Sequence, residues 1–381
     1  MMAHMTTEPV GHKWDMEWKA IKMQENVVQN AEVTRPRKHY FDLMRVIAAI
    51  CVILLHVSAG GLQADVQSSE WAISNFFCSS VRWVVPVFIM ISGSLFLSSE
   101  KPFERIVREN VKHMALIYLF WSTTYAVMDS VQSLMCGQSF SVLALIKEIV
   151  VGHFHLWFFY LVIGMYLLIP FMRMIVGNKA LFKYYLCLAF VFHICLPQAI
   201  SLISLANAGY GETLGSIVDR MNMFMVTGYP FYFMLGYYLD TTNRVSPSLS
   251  VALLLVGFGV TCVGTAAISA WKGETLQTIY NSTNINVLLE SVGVFCGVKY
   301  LGKWLERTGA PLKPLRVLSD LSLGVFVLHP IAMRVCGRFG LNALAFNPVL
   351  AIPLTTILCA LLSFGVAYVL RLIPPIKRYF L

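Results

Sequence analysis

Residues 45–56 read RVIAAICVILLH, an arginine and a histidine that enclose ten almost wholly apolar residues. The apolar stretch extends further on both sides. Residues 41–61 are therefore long enough to cross a bilayer, which takes about 20 residues of helix. Because ionisable side chains are costly inside a membrane, they mark candidate functional sites there. This stretch predicts a membrane-spanning helix that carries two such candidates.

The whole chain has the composition of a multi-pass membrane protein. Of its 381 residues 57% are hydrophobic and only 13% are charged, with a mean hydropathy of +0.67. Soluble domains carry about a quarter charged residues. We therefore expect an all-α bundle of about ten transmembrane helices over residues 40–381. The predicted spans are 41–61, 71–97, 112–131, 155–176, 181–203, 223–240, 249–270, 285–302, 317–337 and 347–370.

The basic residues predict the orientation of this bundle, because cytoplasmic loops are enriched in lysine and arginine. With ten spans, 22 basic residues fall on the side of both termini and five on the other side, which predicts cytoplasmic termini. Their position beside spans argues against nucleic acid as a partner. Residues 1–39 are predicted to be a polar cytoplasmic tail without a cleavable signal peptide. Trp14, Trp18 and Ile21 have the spacing of a short interfacial helix, and a disordered tail is the alternative.

Arg45 and His56 are predicted to share one face of the first helix. Eleven residues make close to three turns, and the two residues are roughly 16 Å apart along the axis. A cation near the cytoplasm and an imidazole deeper in the membrane fit a long ligand that is anionic at one end, such as acyl-coenzyme A. Asp42 is expected to hold Arg45 by an i,i+3 ion pair. The alternatives are a topology-setting arginine and a packed, structural histidine.

Arg82 is the second unusual cation, because it lies well inside the apolar stretch 71–97. A cost of about 2.5–3.5 kcal/mol at the membrane centre requires a partner or a water-filled cavity. Glu290 and Asp129 are the candidate partners, and either carboxylate is also a candidate for binding the acceptor. The functional interpretation of Arg82 is polarisation of the thioester carbonyl of a bound acyl-CoA or binding of an anionic acceptor; the alternative is a structural ion pair.

Several further positions are candidates for a site. His155 and Trp157 open the fourth span, where they suit either a sugar ring or, for Trp157, an aromatic belt. His329 precedes Pro330 and is expected to be structural before catalytic. Ser92, followed by Gly93, is expected to permit close approach of helices. The nine cysteines form no CxxC pair and no His/Cys cluster with metal spacing, so we expect no metal.

Five segments of the chain resemble the acyltransferase-3 family of integral membrane acyltransferases, in the family's order. The first is the stretch FDLMRVIAAICVILLH, with its Arg and His separated by ten residues. The others are VPVFIMISGSLFL (84–97), FERIVRENVKHMALIYLFW (103–121), HLWFFYLVIGMYLLIP (155–170) and LGVFVLHP (323–330). The resemblance covers about residues 37–370 and is informative about the family but not about the substrate.

The resemblance implies an O-acyltransferase of the bacterial inner membrane. Such an enzyme uses cytoplasmic acyl-CoA, often acetyl-CoA, as co-substrate and acylates a hydroxyl of a cell-envelope glycan or glycolipid. No permanently bound cofactor is expected, and a homo-oligomer is left open. His56 and Arg45 are then the expected catalytic residues, with His56 as general base. Arg105 and Arg108 join Arg45 as expected ligands of the coenzyme phosphates. The alternatives are a secondary transporter and a non-catalytic subunit for polysaccharide export.

Overall fold

The computed structural model describes residues 37–309 and 311–380, and these residues form an all-α bundle. The helices are α1 His39–Gly61, α2 Ser69–Ser79, α3 Val84–Leu97, α4 Lys112–Met135, α5 Val142–Val151, α6 Trp157–Gly177, α7 Lys179–Ala189, α8 Leu196–Ala206, α9 Ala208–Arg220, α10 Phe224–Thr241, α11 Pro247–Lys272, α12 Ile285–Arg307, α13 Lys313–Arg338, α14 Pro348–Arg371 and α15 Pro374–Tyr379. The proposed interfacial helix in the tail lies outside the described residues.

Helix α1, which contains the Arg45–His56 stretch, lies at the centre of the bundle. It packs against α2, α3, α12, α13 and α14. Apolar side chains such as Met44, Ala48 and Ile53 are almost completely buried in these contacts. A helix surrounded in this way holds its polar side chains against protein rather than against lipid.

The described part of the chain contains eight helical segments that are long and apolar enough to cross a membrane, of which Ser69–Leu97 and Lys179–Ala206 each combine consecutive helices. Each overlaps a predicted span, which confirms an all-α polytopic membrane protein. The other two predicted spans, 112–131 and 223–240, coincide with α4 and α10, which are not among these eight. The count of ten and the cytoplasmic location of the termini stay predictions.

The second predicted span is broken, contrary to the continuous helix expected over 71–97. Helix α2 ends at Ser79 and α3 begins at Val84, and residues 80–83 form the turn between them. Arg82 lies in this turn. Non-helical backbone at membrane depth is tolerated where it is buried in protein or lines a cavity, and Val81, Trp83 and Val84 are indeed buried.

Two glycines bring α3 and α10 into backbone contact. A Cβ on Gly93 would lie 1.7 Å from the carbonyl oxygen of Phe233, and one on Gly236 would lie 2.2 Å from that of Met90. Only a residue without a side chain fits at either position. The expectation of close helix approach near Ser92 is therefore confirmed for its neighbour Gly93.

A network of ion pairs joins the helices at the end of the bundle where α1 begins, which we call the near end. Arg37 lies 2.6 Å from Asp42 and 3.0 Å from Asp320, and Arg371 lies 3.2 Å from the same Asp320. The two carboxylates, Asp42 first, raise the pKa of the Arg37 guanidinium. Lys38 pairs with Asp240 at 2.7 Å. The network ties α1 to α10, α13 and α14.

We predict that Gly93→Ala destabilises the protein, because the added methyl group collides with backbone that has no room to move. Overpacking of this kind costs about 1–3 kcal/mol. Thermal unfolding in detergent measures the loss. Gly259→Ala is the matched control, since a Cβ there meets nothing within 4 Å. Equal melting temperatures of the two variants would contradict the predicted contact.

Candidate functional site

His56 lies five residues before the end of α1, near the opposite end of the bundle, which we call the far end. Its ring stacks on that of His329 with centroids 5.2 Å apart and an interplanar angle of 18°. Phe154 packs edge-on at 5.0 Å. The side chain is only partly buried and has no hydrogen-bond partner among the described residues. Both ring nitrogens are therefore free to exchange a proton with a ligand.

Arg334 fixes the proton positions of the neighbouring histidines. Its Nη2 lies 2.9 Å from Nε2 of His153, and a guanidinium has donors only, so this Nε2 accepts. Burial, and then the charge of Arg334, lower the pKa of His153, in agreement with a neutral ring. Its proton therefore sits on Nδ1, which lies 3.1 Å from Nδ1 of His155. His155 accepts there and, as a neutral ring, carries its own proton on Nε2.

His329 has the opposite arrangement. Its Nδ1 lies 2.7 Å from the carbonyl oxygen of Phe326, which can only accept, so Nδ1 donates. The side chain is completely buried, where the neutral form is favoured, and its Nε2 is then an acceptor. The rings of His155 and His329 are 5.2 Å apart and nearly perpendicular.

A buried donor and a buried acceptor are consequently left without partners beside His56. These are Nε2–H of His155 and Nε2 of His329, and neither has a hydrogen-bond partner in the described part of the chain. An unpaired buried polar group costs about 1–3 kcal/mol. Each such atom requires an explanation, and a bound ligand or water is one.

Asp129 pairs with Arg334, at 2.6 Å, and not with Arg82 as one sequence interpretation had it. The two residues line a cavity of about 450 Å³ at the far end, together with Gln132, Ser133, Cys136 and Gln138. Arg334 thus connects this cavity to His153, which in turn contacts His155. Asp129 therefore contacts the histidine cluster (His56, His153, His155 and His329) indirectly, through Arg334.

Arg82 uses a sulfur atom and an aromatic ring in place of a carboxylate. Its guanidinium lies 3.6 Å from the ring centroid of Tyr280, a cation–π contact, and Nη2 lies 2.5 Å from Sγ of Cys78. Glu290, completely buried, accepts instead from Thr261. The predicted ion pair of Arg82 with Glu290 is therefore wrong. Arg82 still lies within electrostatic range of both Glu290 and His56.

Arg45 lies at the near end with its guanidinium largely unengaged. Nη1 is 4.0 Å from Asp42, at the limit of an ion pair, and no described residue makes a hydrogen bond with it. Asp42 is held more closely by Arg37 and by Ser319, whose hydroxyl donates at 2.8 Å. The predicted Asp42–Arg45 contact exists, but Arg37 is the main partner of the carboxylate.

The basic segment before α4 is not a regular α-helix. Residues Ile106–Val111 form a wider, π-helical stretch, so α-helical spacing does not apply there. Arg105 pairs with Glu109 at 2.9 Å. Arg108 is exposed and has no charged partner among the described residues, which leaves it the freer of the two to contact a phosphate.

The remaining candidates lie apart from the histidine cluster or at its margin. Trp157 is 44% exposed at the start of α6, with its ring 6.3 Å from that of Tyr229. The hydroxyl of Ser92 donates to the carbonyl of Phe88 in its own helix, so its hydrogen bond is made within α3. The structure thus unites His56, His155, His329 and Asp129, with Arg82 nearby, and sets Ser92 aside.

Sequence reasoning missed His153 and Arg334, which connect the cluster. Arg334 was counted as a charge facing the outer loop, and His153 was passed over beside His155. The signal was available in the segment GHFHLW (152–157), where two histidines flank a phenylalanine immediately before an apolar helix. The pairing of this segment with α13 was not accessible from spacing alone.

A helical bundle of membrane-spanning length with ionisable side chains clustered inside it defines an integral membrane protein with an internal polar site. The family model for the acyltransferase-3 acyltransferase domain matches residues 38–371, nearly the whole chain. The chain therefore belongs to the acyltransferase-3 family and is a membrane acyltransferase. No curated protein and no solved structure gives a significant match to it.

We predict that Arg334→Gln lowers acyl transfer much more than it lowers stability. The Asp129–Arg334 pair is partly exposed, and such pairs contribute about 0–1 kcal/mol. Glutamine, unlike arginine, can accept as well as donate a hydrogen bond, so His153 becomes free to reverse its tautomer and with it that of His155. Turnover number and melting temperature of the purified variant are measured together.

Asp129→Asn is the companion variant, because it removes the charge pair but leaves the Arg334–His153 contact in place. It is expected to retain more activity than Arg334→Gln. If both variants lost activity in proportion to their melting temperatures, a purely structural role of Arg334 would follow.

Proposed function

We propose that this protein is an acyl-CoA-dependent O-acyltransferase that moves an acyl group, most simply acetyl, onto a hydroxyl of a cell-envelope glycan or glycolipid. The observation that carries the proposal is the group of ring nitrogens around His56. One titratable imidazole without a hydrogen-bond partner lies against an unpaired buried donor and an unpaired buried acceptor. Family membership supplies the reaction class, and this group supplies the parts that acyl transfer to a hydroxyl needs.

His56 is the proposed general base. A neutral ring nitrogen takes the proton of the acceptor hydroxyl as its oxygen attacks the thioester carbonyl. A carbon–oxygen bond forms, and the carbon–sulfur bond then breaks. The proton passes from His56 to the departing sulfur, so that an ester and free coenzyme A are the products. The thioester is already activated, and direct transfer without an acyl-enzyme follows.

His155 is proposed to stabilise the oxyanion of the tetrahedral intermediate. Its Nε2–H is a buried donor whose direction is fixed through His153 and Arg334, and preorganised donors of this kind reduce the barrier without reorganising. His329 holds the ring of His56 by stacking, and its Nε2 is an acceptor for the attacking hydroxyl group. This assigns His329 a positioning role, where the sequence suggested a structural one.

The donor is proposed to enter from the near end, taken as the cytoplasmic side. Arg45 and the exposed Arg108 contact phosphate groups of the coenzyme, which arginine binds through paired donors; Arg105 has a smaller role because Glu109 engages it. The pantetheine arm then runs along α1 toward His56. The roughly 16 Å of helix between Arg45 and His56 suits its length. Arg82, close to His56, adds positive charge near the thioester.

The acceptor is proposed to bind at the far end, on the outer side of a bacterial inner membrane. Trp157 offers an exposed ring face beside His155, and the cavity at Asp129 and Arg334 offers polar groups for neighbouring sugars. Glu290 is buried against Thr261, so its proposed part in acceptor binding is limited to the electrostatics around Arg82. The exposed polar lining at the far end favours a hydroxyl-rich substrate.

We predict that His56→Ala retains acyl-CoA binding and loses turnover by about 10²–10⁴-fold, the usual contribution of a positioned base. Thiol release from acetyl-CoA, followed with a thiol-reactive dye, measures turnover. His113→Ala, a histidine of α4 outside the cluster, is the matched control and is expected to turn over normally.

Full turnover of His56→Ala would remove its role as base. Absence of acceptor-dependent thiol release from the wild-type protein, together with ion-driven solute movement in vesicles, would favour the transporter. Unchanged glycan export by His56→Ala, again without thiol release, would favour the non-catalytic subunit.

We predict that Arg45→Ala and Arg108→Ala each weaken acyl-CoA binding by about tenfold, which corresponds to about 1.4 kcal/mol. Both guanidinium groups lack close partners, so their removal leaves no internal carboxylate unpaired. Equilibrium binding of coenzyme A in detergent measures the affinity. Arg338→Ala, which removes an exposed charge at the far end, serves as control. Equal affinities for all three variants would exclude phosphate binding by Arg45 and Arg108 and would favour a role in setting membrane topology.

A further inference from the structure

A second cavity, larger and mostly apolar, lies between α6, α8, α9 and α10. Its volume is about 680 Å³, within the range of roughly 300–1,000 Å³ typical of ligand sites, and its lining includes Leu161, Gly164, Leu168, His193, Thr227 and Tyr229. The mechanism proposed above uses none of these residues. The cavity is separate from the one at Asp129.

The backbone around this cavity is irregular on two sides. Residues Phe190–Cys195, which include His193, form a π-helical stretch between α7 and α8. Opposite, α10 is kinked at Gly228, whose ψ is −132°, and Pro230 follows. π-Helical stretches are rare and are often found at functional sites. Two such departures from regular helix on facing elements are consistent with a built cavity at membrane depth.

His193 is a buried polar group in this mostly apolar lining, which also contains Thr227, Asp219 and Thr283. Its side chain is 8% exposed, and its Nε2 has no hydrogen-bond partner in the described part of the chain. The rings of Tyr229, Phe231 and Tyr232 surround it at 5.9–6.2 Å. A hydrocarbon chain alone cannot form a hydrogen bond with Nε2 of His193, whereas a lipid that carries hydroxyl groups can.

The cavity adjoins the proposed acceptor site through Tyr229 and Trp157. The two rings are 6.3 Å apart, and Trp157 is two residues from His155. Gly164 lies seven residues further along α6, about 10 Å away along the helix axis. A hydrocarbon chain that fills the cavity at the level of Gly164 therefore places its head group at the level of Trp157.

From this geometry we infer that the cavity binds the hydrocarbon chain of the acceptor, so that the substrate is a lipid-linked glycan and not a free one. The inference rests on the proposed function, since it names the acceptor class of the same reaction. The polar head then lies at Trp157 and His155, with His193 hydrogen-bonded to the first polar atoms after the chain. Binding by the chain holds the sugar hydroxyl near His56 from within the membrane.

The test uses a glucosyl lipid with a diazirine in its hydrocarbon chain, added to the full-length protein in nanodiscs. After illumination, mass spectrometry locates the labelled peptides. We expect labels in α6 around Leu161–Leu168 and in α10 around Tyr229. Gly164→Leu fills the cavity, since a Cβ there meets nothing within 4 Å. It is expected to lower labelling by roughly tenfold, about 1.4 kcal/mol.

Gly177→Leu is the matched control on the same helix, because its Cβ also meets nothing within 4 Å and it lies outside the cavity. It is expected to label like the wild type. Excess phosphatidylglycerol is expected not to compete with the probe, whereas unlabelled glucosyl lipid competes. Labelling that Gly164→Leu leaves unchanged, or that phosphatidylglycerol removes equally well, overturns the inference because the cavity then holds ordinary bilayer lipid.

Thiol release from acetyl-CoA is measured on the same preparations, with the natural envelope extract as source of acceptor. Release by the wild type without labelling of the cavity overturns the lipid-chain inference alone. Labelling of the cavity without any release overturns the proposed function alone.

Discussion

A guanidinium group cannot accept a hydrogen bond, and this restriction on Arg334 determines the hydrogen-bond directions in the histidine cluster. Because Arg334 donates to Nε2 of His153, the proton of His153 lies on Nδ1 and is donated to His155. The proton of His155 then lies on Nε2, which is left as a donor. Asp129 contacts the same guanidinium at 2.6 Å, from the side of the far-end cavity. The direction of each later hydrogen bond in the cluster follows from the Arg334 donor.

Two features of the bundle hold the helices that carry these side chains: close helix contacts at glycines and ion pairs at the near end. Gly93 and Gly236 let α3 and α10 touch through their backbones, which leaves little freedom for the turn that carries Arg82. At the near end, Arg37, Asp42 and Asp320 fasten α1 to α13. Helix α1 therefore holds Arg45 and His56 at a fixed separation.

Hydropathy was sufficient to predict the fold class, because eight of the ten expected spans reappear as long apolar helices. The helix ends of α6, α11 and α14 lie within about two residues of the prediction. The break at residues 80–83 was not predicted, since an apolar run has the same hydropathy whether or not its helix is continuous. The ion partners of Arg82 and Asp129 were also wrong, because several acidic residues satisfy the same depth argument and only packing selects among them. His56 and Arg45 were found from spacing, whereas their roles still rest on the proposal.

The interrupted second span has a consequence for biosynthesis. Segments of 11 and 14 residues are each shorter than the about 20 residues that a bilayer requires, so neither half is anchored in lipid by itself. Two partners of this span, Phe233 on α10 against Gly93 and Tyr280 beyond α11 against Arg82, leave the ribosome some 140 to 200 residues later. Arg82 therefore acquires its contact with Tyr280 only after most of the polypeptide has been translated. Truncated or stalled chains are expected to retain their membrane insertion and to lack the contacts that hold Arg82 in place.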